Sequence, residues 1–176
     1  MSLLSCARRC VAGRWGVTVP GFLGLALIAV GLLLQMIDGL VPCPMCIMQR
    51  LVWMAIMVVS AVGAVWYGPR RVALFHALNG VLAAGGSYVA ARQSWLQWYP
   101  PEAVSCGRDF YGIVETFPLR QALPMLLKGS GDCSAVDWTF LGGSIANWSC
   151  GMFTLTLVYC VWQTLSAIRR SQAVDL

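Results

Sequence analysis

The sequence predicts an all-α membrane protein, a four-transmembrane-helix bundle with one long loop outside the bilayer. Three observations predict it. Hydrophobic residues make up 59% of the 176 residues and charged residues only 11%, whereas a soluble domain carries about a quarter charged residues. The apolar residues gather into four long runs. The basic residues fall in short clusters between those runs, so the net charge of +5 bears on orientation in a membrane rather than on nucleic acid. With a mean hydropathy of +0.71, the chain has too few charges to cover a water-facing surface, and lipid must cover part of it.

A spanning helix needs roughly 20 mostly apolar residues to cross about 30 Å of hydrocarbon. The first run, Val17 to Met36, contains no charge. The second extends from Ile47 to Tyr67, with Arg50 near its start. The third, Val72 to Ala91, is broken by Gly80, Gly85 and Gly86, and the fourth covers Trp148 to Ile168. Arg8, Arg9 and Arg14 ahead of the first run raise the possibility of a signal peptide. That reading fails, because the run is too long for an h-region and Leu34-Gln35-Met36 offers no small-residue cleavage site.

Positive charge marks the cytoplasmic side of a membrane protein. Arg8, Arg9 and Arg14 precede span one, Arg70 and Arg71 lie between spans two and three, and Arg169 and Arg170 follow span four. Four crossings put all three clusters on one side, with both termini cytoplasmic. The opposite side receives a short loop, residues 37–46, and a long one, residues 92–147. No internal repeat appears, and residues 1–176 read as a single membrane domain. Turn formers interrupt the long loop: Pro100-Pro101, Gly107, Pro118, Pro124, Gly129 and Gly131. Within it, Leu119, Leu123, Leu126 and Leu127 approximate one helical face. They form either a short interfacial helix lying on the bilayer or an ordinary loop that packs its leucines, and Pro124 weighs against the helix.

Topology then sorts the eight cysteines. Cys43, Cys46, Cys106 and Cys133 fall on the outer side, Cys6 and Cys10 on the cytoplasmic side, and Cys150 and Cys160 inside span four. In a bacterial inner membrane the outer side is the oxidising periplasm, where disulfides persist. Cys43 and Cys46 form a C-x-x-C, a spacing suited to a redox disulfide, which leaves Cys106 to pair with Cys133. A bridge closing that longer loop would stabilise a folded segment by roughly 3 to 4 kcal/mol. The enclosed segment is polar and proline-broken, however, so an exchangeable bridge fits better than a structural one. Cys6, Cys10, Cys150 and Cys160 read as reduced bystanders, and His76 as a satisfied buried histidine. Trp95, Trp98, Trp138 and Trp148 read as an interfacial aromatic belt.

Pro42-Cys43-Pro44-Met45-Cys46 stands where the short loop enters span two. The prolines stiffen the loop and keep the first helix from continuing. Cys46 falls at or near a helix N-terminus, where free amides and the helix dipole favour a thiolate. Arg50, four residues on, shares its helix face. A charge at the membrane boundary is costly and usually serves a site. Arg50 would either hold a thiolate or hydrogen-bond the carbonyl of a bound electron acceptor; alone, it would read as a snorkelling anchor. A zinc site would need a second C-x-x-C or histidines, and the one histidine, His76, lies near the opposite end of span three, so no metal site is expected. A different class, a metal-delivery or membrane assembly protein, would carry stoichiometric copper or zinc in place of redox-active disulfides.

These elements resemble the DsbB disulfide-bond formation proteins over nearly the whole chain. The resemblance rests on the four spans, the C-x-x-C entering span two with Arg50 behind it, and the two cysteines of the last outer loop. It rests also on the strings Leu96-Gln97-Trp98-Tyr99-Pro100, Ser130-Gly131-Asp132-Cys133 with Trp138, and Phe140-Leu141-Gly142. In the related vitamin K epoxide reductase fold the C-x-x-C comes late in the bundle, whereas here it follows span one. The resemblance implies a protein-dithiol:quinone oxidoreductase of the inner membrane. Such a protein reoxidises a DsbA-like periplasmic thiol oxidase and passes the electrons to membrane quinone, ubiquinone or menaquinone. It implies that Cys43–Cys46 is the quinone-facing disulfide and that Cys106–Cys133 is the disulfide facing DsbA, with Cys106 attacked. It also implies that Arg50 is the quinone-side arginine. Some relatives carry an acidic residue before that arginine and a histidine near the outer end of span three. This chain has Gln49 at the first position and Arg92 and Gln93 at the second, which brings Gln93 into the expected cofactor-binding set.

Overall fold

The computed structural model describes residues 14–40, 42–68, 71–100, 131–134, 136 and 138–174. Four helices carry the architecture: α1 (Arg14–Asp38), α2 (Pro44–Val65), α3 (Arg71–Trp98) and α4 (Ile145–Val174). Each is long and apolar enough to cross a membrane. A helical turn, Gly131–Ser134, and a two-stranded hairpin, β1 (Thr139–Phe140) and β2 (Gly143–Ser144), precede α4. Outward-facing Val58, Val81 and Leu155 are among many large apolar side chains left exposed, as a lipid-covered surface requires. The chain is therefore a four-helix membrane protein. Chain direction puts the start of α1, the end of α2, the start of α3 and the end of α4 at one end of the bundle; the cysteine motif lies at the other.

Helices α1, α3 and α4 outrun the spans read from hydropathy at both ends, whereas α2 starts earlier, at Pro44, and ends earlier, at Val65. The glycines expected to break the third run leave α3 continuous, and it carries on through Arg92 and Gln93 to Trp98, so part of the expected long loop is helix. Gly86 has a packing role there. A Cβ at that position would run into the Phe153 ring of α4, whereas one at Gly85 would meet open space. The cost of a mid-helix glycine, about 1 kcal/mol, is offset by the close approach of α3 to α4.

The interior forms three layers. At the termini end Val17, Val72, Phe75 and Ala167 pack together. In the middle Trp53, Ile56, Ala83, Ala90 and Phe153 do so, with Trp53 and Phe153 stacked at 4.3 Å. At the loop end Cys43, Met45, Val89, Leu96 and Cys133 form the third layer, with Cys46 and Met48 against it. His76 is buried against the edge of Tyr159. Its Nδ1 has no hydrogen-bond partner among the described residues, so within them the buried histidine expected from sequence is unsatisfied at that nitrogen.

Local chemistry sets the loop-end boundaries. Cys43 is the N-cap of α2: it is extended, and its Sγ accepts from the Cys46 N–H at 3.3 Å. Pro44 follows at the first helical position, where its missing N–H costs nothing. Ser144 caps α4 by accepting from Asn147 N–H at 3.3 Å, and its hydroxyl donates to Gln97 Oε1 of α3 at 2.6 Å. The hairpin turns on Leu141 and Gly142, both with positive φ, as a two-residue type I′ connection requires.

Candidate functional site

The N-cap geometry of α2 places the C-x-x-C sulfurs side by side, Cys43 Sγ and Cys46 Sγ being 2.8 Å apart. Both residues are free thiols here. The helical turn Gly131–Ser134 brings a third sulfur to them, since Cys133 is fully buried in the same cluster. Its side chain hydrogen-bonds Cys43 and is the largest of the influences holding the Cys43 thiol far above its ordinary range; the hydrogen bond with Cys46 and burial add to it. Cys43 is thus a proton-retaining thiol between two other sulfurs. Cys106 lies outside the described residues, as do Cys6, Cys10 and the leucines 119–127.

Two glutamines stand over the pair. Gln93 Nε2 donates to Cys43 Sγ and to Cys46 Sγ, each at 3.3 Å, and its Oε1 accepts from Gln49 Nε2 at 2.7 Å. Beside the sulfurs opens a cavity of about 330 Å³. Its walls come from α1 (Leu27, Ile28, Gly31, Leu34), α2 (Trp53) and α4 (Ile145, Met152), while Cys43, Cys46, Gln49, Arg50, Gln93 and Gln97 border it. The cavity lies between α1 and α4. Arg50 Nη1 donates to Gln35 Oε1 at 3.0 Å and Nη2 to the Gly31 carbonyl at 3.5 Å, so the guanidinium ties α2 to α1 while facing the same space as Cys46.

Of the sequence-predicted site residues, Cys43, Cys46, Cys133, Arg50 and Gln93 meet at this one place. The α1 partners of Arg50 and the Gln49–Gln93 hydrogen bond were not expected, although a glutamine inside an apolar span is itself a signal of buried polar work. Trp138 and Trp148 do more than an aromatic belt requires. Both line the cavity, and Trp148 Nε1 donates to the Phe140 carbonyl at 3.0 Å, fastening the hairpin over it. The Leu141-Gly142 pair was the available sign of that hairpin.

Three clustered sulfurs, with Cys43 hydrogen-bonded to both Cys46 and Cys133, suit thiol–disulfide exchange, in which a thiolate attacks one sulfur of a bridge and expels the other. Fold and site together define a class: a four-helix membrane protein with cysteine redox chemistry at one end of its bundle. Comparison with known proteins narrows the class. Residues 13–163 match the family model described as disulfide bond formation protein DsbB. The Disulfide bond formation protein B of Polaromonas naphthalenivorans is 54% identical over 140 residues, covering 76% of this chain and 84% of that protein. The protein of the same name from Albidiferax ferrireducens is 53% identical over 149 residues, covering 81% and 83%. The one from Azoarcus sp. is 48% identical over 139 residues, covering 78% and 83%. The chain belongs to the DsbB family, and its role is that of an oxidoreductase in disulfide generation.

Proposed function

We propose that this chain reoxidises a DsbA-like periplasmic dithiol oxidase by disulfide exchange and delivers the electrons to membrane quinone, from the bacterial inner membrane with both termini cytoplasmic. The observation that carries the reading is Cys133 packed on the Cys43–Cys46 pair, beside an apolar cavity that Arg50 also faces.

The exchange steps follow from the order of the sulfurs. The partner's thiolate attacks Cys106 of the Cys106–Cys133 bridge and frees Cys133. The partner's second thiol resolves that mixed disulfide, leaving the partner oxidised and Cys106 and Cys133 reduced. As a thiolate, Cys133 attacks Cys43 of the Cys43–Cys46 bridge. An S–S bond forms between Cys133 and Cys43, the old bond breaks, and Cys46 leaves with the electron pair as a thiolate. Cys106 then attacks Cys133, restoring the outer bridge and returning Cys43. Protonation of Cys43 completes the step, in keeping with a thiol that retains its proton. Gln93 Nε2 donates toward the negative Cys46 sulfur throughout.

The residues fit a quinone. The cavity has apolar walls for a ring and tail, and a guanidinium and three amides at its border for carbonyl oxygens. Arg50 would hold a carbonyl, with Trp53, Leu27 and Met152 against the ring. A bound quinone supplies a two-electron, two-proton acceptor there. The test is turnover of a reduced periplasmic dithiol oxidase by the purified protein with added ubiquinone or menaquinone. Single Ser substitutions at Cys43, Cys46, Cys106 and Cys133 should each abolish turnover, and those at Cys6, Cys10, Cys150 and Cys160 should not. Turnover that survives Cys106→Ser but not Cys150→Ser would overturn the assignment.

A further inference from the structure

The Gln49–Gln93 hydrogen bond crosses from α2 to α3 directly above the sulfurs, and both side chains are buried. A primary amide has an oxygen that only accepts and a nitrogen that only donates. The end turned toward a sulfur therefore decides whether negative charge on that sulfur is stabilised or repelled. Here Gln49 Nε2 occupies the Gln93 oxygen at 2.7 Å, and the Gln93 nitrogen is left to span Cys43 and Cys46 at 3.3 Å each. Reversing the Gln93 amide would set two donors face to face on the Gln49 side and put an oxygen against the sulfurs. In a buried site unmade hydrogen bonds of this kind are costly.

We propose that Gln93 is the hydrogen-bond donor that stabilises negative charge on the Cys43–Cys46 pair during exchange, and that Gln49 is the positioning residue that keeps the Gln93 nitrogen turned toward the sulfurs. The proposal rests on the reading of Cys43 and Cys46 as an exchanging pair. An amide does not titrate in the working range, so this donor is present at every pH. Among the described residues, the titratable and charged groups that face Cys46 are Cys43 and Cys133 in the sulfur cluster and Arg50 one turn along α2. The pair's pH response then belongs to the sulfurs, and the two glutamines set where along the pH axis it falls.

The experiment measures the rate of Cys46 alkylation by N-ethylmaleimide against pH in the fully reduced, full-length protein, read by mass spectrometry. The midpoint of the rate profile is compared, so partial loss of folded protein leaves the readout intact. Gln93→Leu should raise the midpoint by about one pH unit, making alkylation about tenfold slower below it, as expected for loss of one hydrogen bond to a charged group. Gln49→Leu, which frees the amide to rotate but adds no charge, should move the midpoint the same way by less. Gln49→Glu should move it at least as far as Gln93→Leu, because an acceptor-only carboxylate draws the Gln93 nitrogen away. A Gln93→Leu midpoint at the wild-type value overturns the donor role. A Gln49→Leu midpoint at the wild-type value overturns the positioning role, and any Gln49→Glu shift is then the effect of charge alone. Reoxidation of unalkylated aliquots of the same reduced proteins by added quinone, which takes the two electrons, keeps the two readings apart. If Cys43 and Cys46 re-form a disulfide while the midpoints stay together, only this proposal fails. If the wild-type pair never reoxidises, the exchange reading fails.

Discussion

Arg50 was legible from sequence as a charge that a membrane boundary would not hold without a purpose, and Cys43 and Cys46 were legible from their spacing. What local sequence could not supply was the third sulfur's position. Cys133 is far away in the chain, and only the turn Gly131–Ser134 brings it onto Cys43. That contact makes a prediction about proton affinity. The Cys43 thiol is held above its ordinary value of 9.0, chiefly by Cys133. A raised pKa keeps the thiol protonated and slow to alkylate as pH climbs through the ordinary value. Removing its largest cause should bring the onset of Cys43 alkylation to lower pH, which Cys133→Ser should show in the reduced protein; an unmoved onset would mean that the contact does not act on the proton. Arg50 makes a second prediction. Its guanidinium is braced by Gln35 and the Gly31 carbonyl, so it is fixed in the cavity wall rather than free to snorkel. If it meets the acceptor's carbonyl, Arg50→Ala loses a charge-assisted hydrogen bond of roughly 1.5–3 kcal/mol, a ten- to hundredfold drop in catalytic efficiency toward quinone. Lysine keeps the charge and loses the fork, so Arg50→Lys should fall between. Mixed-disulfide trapping at Cys106 should be untouched. Wild-type quinone kinetics in Arg50→Ala would move the acceptor site elsewhere.

The four helices were legible because hydropathy reads whole elements, but their interior devices depend on partners distant in sequence. Pro20 lies inside α1, and a proline has no N–H to give the carbonyl four residues back. That carbonyl is Gly16's, and Tyr159 of α4 donates its hydroxyl to it at 3.0 Å. Gln163 Nε2 in turn donates to the Tyr159 oxygen at 2.9 Å. The defect in α1 thereby becomes a tie between α1 and α4 at the termini end, while the same two helices bound the cavity at the loop end. Tyr159→Phe should destabilise the folded protein in detergent by about 1 kcal/mol. In a Pro20→Ala background the new N–H reclaims the Gly16 carbonyl, so Tyr159→Phe should then cost less; equal costs in both backgrounds would sink the account. The glycine pair of α3 gives a sharper contrast. Gly86→Ala forces a methyl into the Phe153 ring and, through its stacking partner Trp53, into the cavity wall. It should cost about 1–3 kcal/mol by overpacking. Gly85→Ala points into open space and should be neutral or slightly stabilising in thermal unfolding. Sequence alone treats the two glycines alike, because which of them meets the ring depends on the rotation of α3 against α4.

At the scale of the whole molecule, the bundle is an asymmetric device. One end carries the start of α1, the end of α2, the start of α3 and the end of α4, and the other carries Cys43, Cys46 and Cys133. With four crossings, whatever fixes one end's side of the membrane fixes the chemistry's side as well. In the proposed topology the basic clusters are the determinant: Arg8, Arg9 and Arg14, then Arg70 and Arg71, then Arg169 and Arg170; of these, the described Arg14, Arg71, Arg169 and Arg170 belong to helix ends away from the cysteine pair. Charge bias near the ends of spans sets orientation because short basic segments resist translocation. If that end faces the periplasm, as proposed above, a bridge between Cys106 and Cys133 would sit in the oxidising compartment and persist long enough to be offered to a partner. A reporter active only in the cytoplasm, fused after Arg170 or inserted at Arg70, should therefore be active. A reporter active only in the periplasm, inserted near Glu115, should be active too. A periplasmic signal at Arg70 or after Arg170 would invert the bundle, put the three packed sulfurs in a reducing compartment and remove the driving force for the relay, whatever the local geometry of Cys43, Cys46 and Cys133.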